Sequence, residues 1–178
     1  GKMSKLVNQL LQLSRADRHK ESLHLEEFDL SELTEMVAEE AQGLAESKAV
    51  TLTAEIEPGI LVKADQTLMM RIWLNLLTNA VKYGRQQGQI WLTLKSDGKN
   101  AVGTVCDDGI GISAAELPKI WKRFYRVNTA RSSGDDSGTG LGLAMVKWMV
   151  ESHGGTVSAV STLGAGSTFS FTIPLRPS

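Results

Sequence analysis

The spacing of hydrophobic positions changes along the chain, and each change marks a predicted element. The opening "KMSKLVNQLLQLSRAD" sets Met3, Leu6, Val7, Leu10, Leu11 and Leu13 at helical spacing, an apolar stripe on one face. A lone helix of this length is marginal in water, so it needs a partner, either the domain behind it or another helix. After the polar "RHKES", the segment "LHLEEFDL" reads as a short strand, and Asp29 or Ser31 caps a helix from about Leu30 to Ser47. "VTLTAEI" alternates as a strand does, and "ILVKAD" is a second short strand beyond Pro58-Gly59. Asp65 then begins a helix that carries "NLLTNAVKYG", Asn75 to Gly84. "QIWLTLKSDGKNAVGTVCDD" reads as two strands joined at Asp97-Gly98. An irregular, glycine-bearing region follows from Gly109 to about Thr139, then a helix, "LGLAMVKWMVESH", and a hairpin, "GTVSAVSTLGAGSTFSFTIPL". Strands interrupted by three helices predict an α+β fold: a two-layer sandwich with a mixed, mainly antiparallel sheet and three helices on one face.

Composition narrows the class. With 178 residues, 42% of them hydrophobic, the chain has enough material for one full domain and an appendage. Lys and Arg number 19 against 20 Asp and Glu, so no global field draws the chain to nucleic acid or an acidic membrane, and any anion site must be local. The single cysteine, Cys106, cannot form an internal disulfide, and no Cys/His cluster has zinc spacing. No run approaches the roughly 18 apolar residues of a membrane span, and the start lacks a signal peptide's apolar centre.

Candidate chemistry begins with Asn75 and Asn79. They lie one above the other on a helix, with Lys82 and Tyr83 one turn further on. Asparagine is a poor helix former, and a buried amide without partners costs roughly 1–3 kcal/mol, so something polar is expected on that face. Glycines cluster in "DDGIGI", "SGTGLGL" and "GAGSTF". Glycine lets backbone come close to a ligand, and amides at a helix start favour phosphate, so a phosphate-bearing ligand is the economical reading. A P-loop and the catalytic loop of eukaryotic-type protein kinases are both absent from the chain. A dinucleotide fingerprint needs an apolar strand before its glycines, whereas "SGTGLGL" follows the polar "NTARSSGDD". That polar stretch reads instead as a lid, Asn128 to Gly138, closing over phosphates.

Taken together, these segments resemble the catalytic and ATP-binding domain of bacterial sensor histidine kinases, in the gyrase, Hsp90, histidine kinase and MutL superfamily. "NLLTNAVKY" resembles the asparagine box, "DDGIGI" the first glycine box, "IWKRFYR" the phenylalanine box, "GTGLGL" the second glycine box and "GAGSTF" the third, in the family's order. The resemblance implies ATP and Mg²⁺ as ligands, with Asn79 on the metal and Asn75 completing its polar face. Lys82 would reach the phosphates, Tyr83 would lie along the adenine, and Asp107 would accept from the adenine amine. Gly109 and Gly111 would allow close backbone approach, and Thr168 would assist Asp107 through water. Gly138, Thr139, Gly140, Leu141 and Gly142 would lead the phosphates onto a helix N-terminus. Arg126, at the end of the phenylalanine box, is the candidate for the γ-phosphate.

By the same resemblance, residues 1–20 form the C-terminal part of a dimerisation and phosphotransfer hairpin and residues 21–178 the catalytic domain. The acceptor histidine would lie outside this chain, in a longer protein that is homodimeric, has its cytoplasmic part here, and is anchored in a bacterial inner membrane. From the histidine the phosphate would pass to a response regulator aspartate. His19 and His24 read as solvated, His153 as a helix-end cation, Cys106 as a small core side chain, and Trp121 and Phe124 as packing anchors. Alternatives are an ATPase of the gyrase or MutL type, a serine kinase of the anti-sigma-factor type, and a degenerate interaction module. The first would place a water-activating glutamate where this chain has Asn75, and an amide takes no proton at neutral pH. The opening helix speaks against the second, and the intact boxes against the third.

Overall fold

The computed structural model describes residues 23–121 and 142–175. In chain order these form β1 (Glu26–Asp29), α1 (Leu30–Ser47), β2 (Thr51–Ile56), β3 (Leu61–Ala64), α2 (Gln66–Tyr83), β4 (Gln89–Ser96), β5 (Asn100–Asp107), a 3₁₀ turn (Leu117–Lys119), α3 (Gly142–Ser152), β6 (Thr156–Thr162) and β7 (Gly166–Pro174). Two helix starts follow directly from the sequence. Asp29 accepts the N–H of Glu32 and Asp65 that of Leu68, each satisfying a donor that the first helical turn leaves unpaired.

Five strands form one sheet in the order β2-β4-β5-β7-β6. Only β2 and β4 are parallel; the other neighbours run antiparallel. The chain turns at Pro58-Gly59, yet β2 and β3 do not make a hairpin. β3 pairs with β1 in a separate two-stranded sheet, with Phe28 opposite Val62, and α2 then carries the chain back beside β2. Fold class and helix number agree with the sequence expectation, and the second small sheet is the addition.

Alternation along the strands separates two faces. Ile90, Leu92 and Leu94 of β4, Ala101 and Val105 of β5, and Phe169, Phe171 and Ile173 of β7 are buried beneath the helices. Against them pack Met69, Ile72, Trp73 and Leu76 of α2, Met145, Val146 and Met149 of α3, and Leu33 and Val37 of α1. The other face carries Trp91, Thr93, Cys106 and Thr168, of which Trp91 is exposed. Trp73 meets Phe171 edge-on, with ring centroids 4.9 Å apart, and Gly103 on β5 leaves the room: a Cβ there would lie 2.5 Å from the Phe171 ring.

Candidate functional site

A cleft opens where the end of α2, the end of β5, the start of β7 and the first turn of α3 meet. Asn79, Tyr83, Asp107, Gly111, Ile112, Leu143 and Ser167 line it. The buried stripe of α2, from Leu68 through Leu76 and Leu77 to Val81, turns Asn79 and Tyr83 toward this space. The two asparagines differ in their surroundings. Asn75 Nδ2–H donates to the Gly142 carbonyl at 3.3 Å, tying α2 to α3, while Asn79 lines the cleft. Lys82 is half-buried, its Nζ 5.0 Å from the centre of the Tyr83 ring.

Asp107 ends β5 on the helix-covered face and is 5% exposed. Its Oδ1 accepts the N–H of Gly109 at 2.8 Å. Burial pushes its carboxyl up from the ordinary 3.8 to about 6, although the N–H groups of Gly109 and Ser167 pull the other way, and neighbouring Asp108 adds to the rise. A buried carboxyl whose pKa is raised chiefly by burial is poised to receive a donor from a ligand.

The glycines next to Asp107 are also needed by the packing of the loop itself. A Cβ on Gly109 would sit 2.1 Å from the Tyr83 carbonyl, to which Ile110 N–H also donates at 3.1 Å. Gly111, with φ of +73°, packs on the Thr162 carbonyl. Both glycines therefore bring backbone against backbone, wedging the loop after β5 between α2 and the β6–β7 turn; Gly111 still faces the cleft. The turn is held in place by Gly164 N–H on the Ile110 carbonyl at 2.7 Å and by Arg85 Nη2–H on the Gly164 carbonyl at 2.6 Å.

Thr168 is a correction. It lies on the outer face of the sheet, where its hydroxyl donates to Cys106 Sγ at 3.1 Å. Ser167, 7% exposed and directly opposite Asp107 in the ladder, is the β7 hydroxyl in the cleft. The signal was present in the sequence: Phe169, Phe171 and Ile173 set the buried parity of β7, which puts position 167 inside and 168 outside. Cys106 is likewise half-buried on the outer face and is not a core side chain. His153 is not a helix-end cation, because burial lowers its pKa and both ring nitrogens are engaged. Trp121 meets Phe169 edge-on at 6.1 Å, as a packing anchor would. Arg126, Phe124, Gly138, Thr139, Gly140, Leu141, the Asn128–Gly138 stretch and residues 1–20 lie outside the described residues. Ser161, Arg85 and Leu143 escaped the sequence reading because nothing local marks them.

Among the described residues, no group of three or more His, Cys, Asp or Glu side chains gathers as a metal site. The cleft offers the Asn79 amide oxygen instead, a hard neutral donor. That fits a Mg²⁺ ion that keeps several waters and takes its remaining ligands from phosphate.

Fold and cleft define an α+β sandwich domain with a cleft at one end of its sheet, and the comparisons give its family. The chain belongs to the histidine kinase-, DNA gyrase B-, and HSP90-like ATPase family, whose match covers residues 64–177. Among curated relatives, the sensor histidine kinase TmoS of Ectopseudomonas mendocina is 38% identical over 173 residues, covering 97% of this chain and 18% of TmoS. The circadian input-output histidine kinase CikA of Synechococcus elongatus is 36% identical, over 95% of this chain and 23% of CikA. This chain therefore spans only a minor part of these relatives. Full-length ShkA in complex with AMPPNP superposes with a TM-score of 0.84 at 30% identity, covering 99% of this chain and 36% of ShkA. The mycobacterial sensor histidine kinase MprB matches with a TM-score of 0.75 at 28% identity, over 86% of this chain and all of the MprB chain.

Proposed function

We propose that this chain is the ATP-binding catalytic part of a two-component sensor histidine kinase. It positions Mg-ATP so that the γ-phosphate passes to a histidine outside this chain, and from there to a response regulator aspartate. In this reading residues 1–20 belong to the dimerisation and phosphotransfer hairpin of a homodimeric, membrane-anchored sensor.

The adenine enters the cleft beside Tyr83, and its amine donates to Asp107. Asn79 holds the Mg²⁺, with Asn75 supporting it from the preceding turn; the ion when bound supplies charge neutralisation at the phosphates. Lys82 approaches the phosphates, the amides of residues 138–142 receive them, and Arg126 reaches the γ-phosphate. Gly142 also carries the carbonyl that Asn75 holds, so a hydrogen bond ties the asparagine helix to the last residue of that segment. ShkA, solved with an ATP analogue and similar over nearly the whole chain, supports the nucleotide.

One observation carries transfer over hydrolysis. Asp107 is the only carboxylate among the described residues that line the cleft, and it sits at the base-reading end with Gly109 N–H already on it. Where an ATPase would need a proton acceptor for water, α2 presents Asn75, whose amide is tied to Gly142. The site therefore holds ATP for a nucleophile brought from elsewhere, by positioning and charge stabilisation. His153 is no candidate nucleophile, since its two ring nitrogens are held by Met149 and Asp65.

The test is transfer. With γ-labelled ATP and Mg²⁺ the chain alone should neither label itself nor turn ATP over quickly. Extended through the upstream hairpin, it should gain an acid-labile, base-stable phosphate that Asn79→Ala abolishes. Rapid ATP hydrolysis by the chain alone, lost in Asn79→Ala, would place it with the ATPases.

A further inference from the structure

Ser161 of β6 makes three hydrogen bonds at the edge of the site. Its Oγ accepts the N–H of Ile112 at 2.7 Å, donates to the carbonyl of Gly166 at 2.9 Å and lies 2.8 Å from Ser167 Oγ. A hydroxyl has one hydrogen and two lone pairs. The Ile112 N–H can only donate and the Gly166 carbonyl can only accept. With all three bonds made, Ser161 spends its hydrogen on Gly166 and one lone pair on Ile112, and the lone pair that remains receives the Ser167 hydroxyl. Ser167 Oγ is left with lone pairs alone for the cleft that it lines.

Asp107, opposite Ser167 in the ladder, also presents an acceptor. This end of the cleft thus offers acceptors from both strands. A purine 6-amine, with two N–H groups, matches it; a 6-carbonyl would set its oxygen against lone pairs and find no donor in Asp107 or Ser167.

We propose that Ser161 is a specificity-determining positioning residue, which by taking up the Ser167 hydroxyl hydrogen keeps the Asp107 and Ser167 side chains acceptor-only toward the cleft and so favours selection of a 6-amino over a 6-oxo purine. The inference rests on Asp107 reading the base, as proposed above. Ser161 also anchors both segments that flank Asp107, the loop at Ile112 and the strand start at Gly166. A purely structural contribution of that kind weakens all nucleotides by the same factor, so the discriminating readout is a ratio.

Binding of ATP and of inosine triphosphate, which replaces the 6-amine by a 6-carbonyl, is measured calorimetrically with Mg²⁺. The unaltered chain prefers ATP. In Ser161→Ala the Ser167 hydrogen is free to turn into the cleft and donate to the 6-carbonyl, so the preference falls roughly three- to tenfold, the scale of one exchanged hydrogen bond. Ser161→Cys, close to serine in size but a poor acceptor, produces the same fall should the alanine variant not fold. In a Ser167→Ala background, Ser161→Ala no longer changes the ratio. Equal weakening of both nucleotides by Ser161→Ala or Ser161→Cys, with the preference intact, overturns the inference and leaves the Asp107 reading standing. An unaltered chain that binds the two nucleotides equally overturns both.

Discussion

His153 Nε2 accepts the backbone N–H of Asp65 at 3.0 Å, joining the end of α3 to the residue that caps α2. Its Nδ1–H donates to the Met149 carbonyl at 2.6 Å, so the neutral ring has one nitrogen as donor and the other as acceptor. Burial lowers its pKa below the ordinary 6.5, although the Met149 carbonyl and the Asp65 carboxylate pull it back. A proton on Nε2 would end the bond to Asp65. The folded chain therefore resists protonation that the unfolded chain accepts. The latch contributes fully above pH 6.5 and is lost as the pH falls below it. Thermal melts should show His153→Ala less stable than the unaltered chain at pH 7.5, with the gap narrowing by pH 5.5. A gap independent of pH would refute the latch.

Asp107 works in the opposite sense. Its pKa is raised by folding, so its contribution to stability is present below 3.8 and is lost as the pH climbs through about 6. At neutral pH the ionised group burdens the empty fold by something on the order of 1–3 kcal/mol. Asp107→Asn should raise the melting temperature at pH 7.5 while weakening ATP binding. In the unaltered chain, ATP affinity should decline as the pH drops below about 6, because the amine donates to the carboxylate form, and the decline should be absent from Asp107→Asn. An ATP affinity that is flat from pH 8 to 5 would count against the assignment.

Asn75 and Asn79 should part company when each is replaced by alanine. Asn75→Ala removes the bond to Gly142, and losing about 1 kcal/mol should lower the melting temperature of the nucleotide-free chain by roughly 2–4 °C. Asn79→Ala should leave that temperature nearly unchanged and instead remove the Mg²⁺ dependence of ATP binding. Identical effects from the two substitutions would contradict the division of roles.

Signals confined to a few residues were legible without any structure. Asp29 and Asp65 cap their helices from three residues away, as their positions in the pattern indicate. The β4–β5 turn is likewise local: Asp97 Oδ1 accepts from Lys99 and Asn100, and Gly98 takes φ of +95°. The asparagine, aspartate and glycine segments were also visible in order, because each needs its residue types at short spacing. Chain order said nothing of the parallel pairing of β2 with β4 or of the separate β1–β3 sheet. Those depend on which apolar faces meet once α2 has crossed the sheet.

Side-chain direction and protonation belong to the tertiary structure for the same reason. One residue of register decides whether Ser167 or Thr168 stands beside Asp107, and that register is set by Phe169 and Phe171 packing under α2 and α3. His153 reads as a cation in isolation. It is held neutral because the fold buries it between two helices whose contact residues, Asp65 and His153, lie far apart in the chain. Caps and turns are decided by bonds that a short segment makes with itself, so the sequence alone determined them. The cleft is made of groups from α2, β5, α3 and β7 that only long-range burial brings together, and the donor and acceptor roles within it followed from that burial.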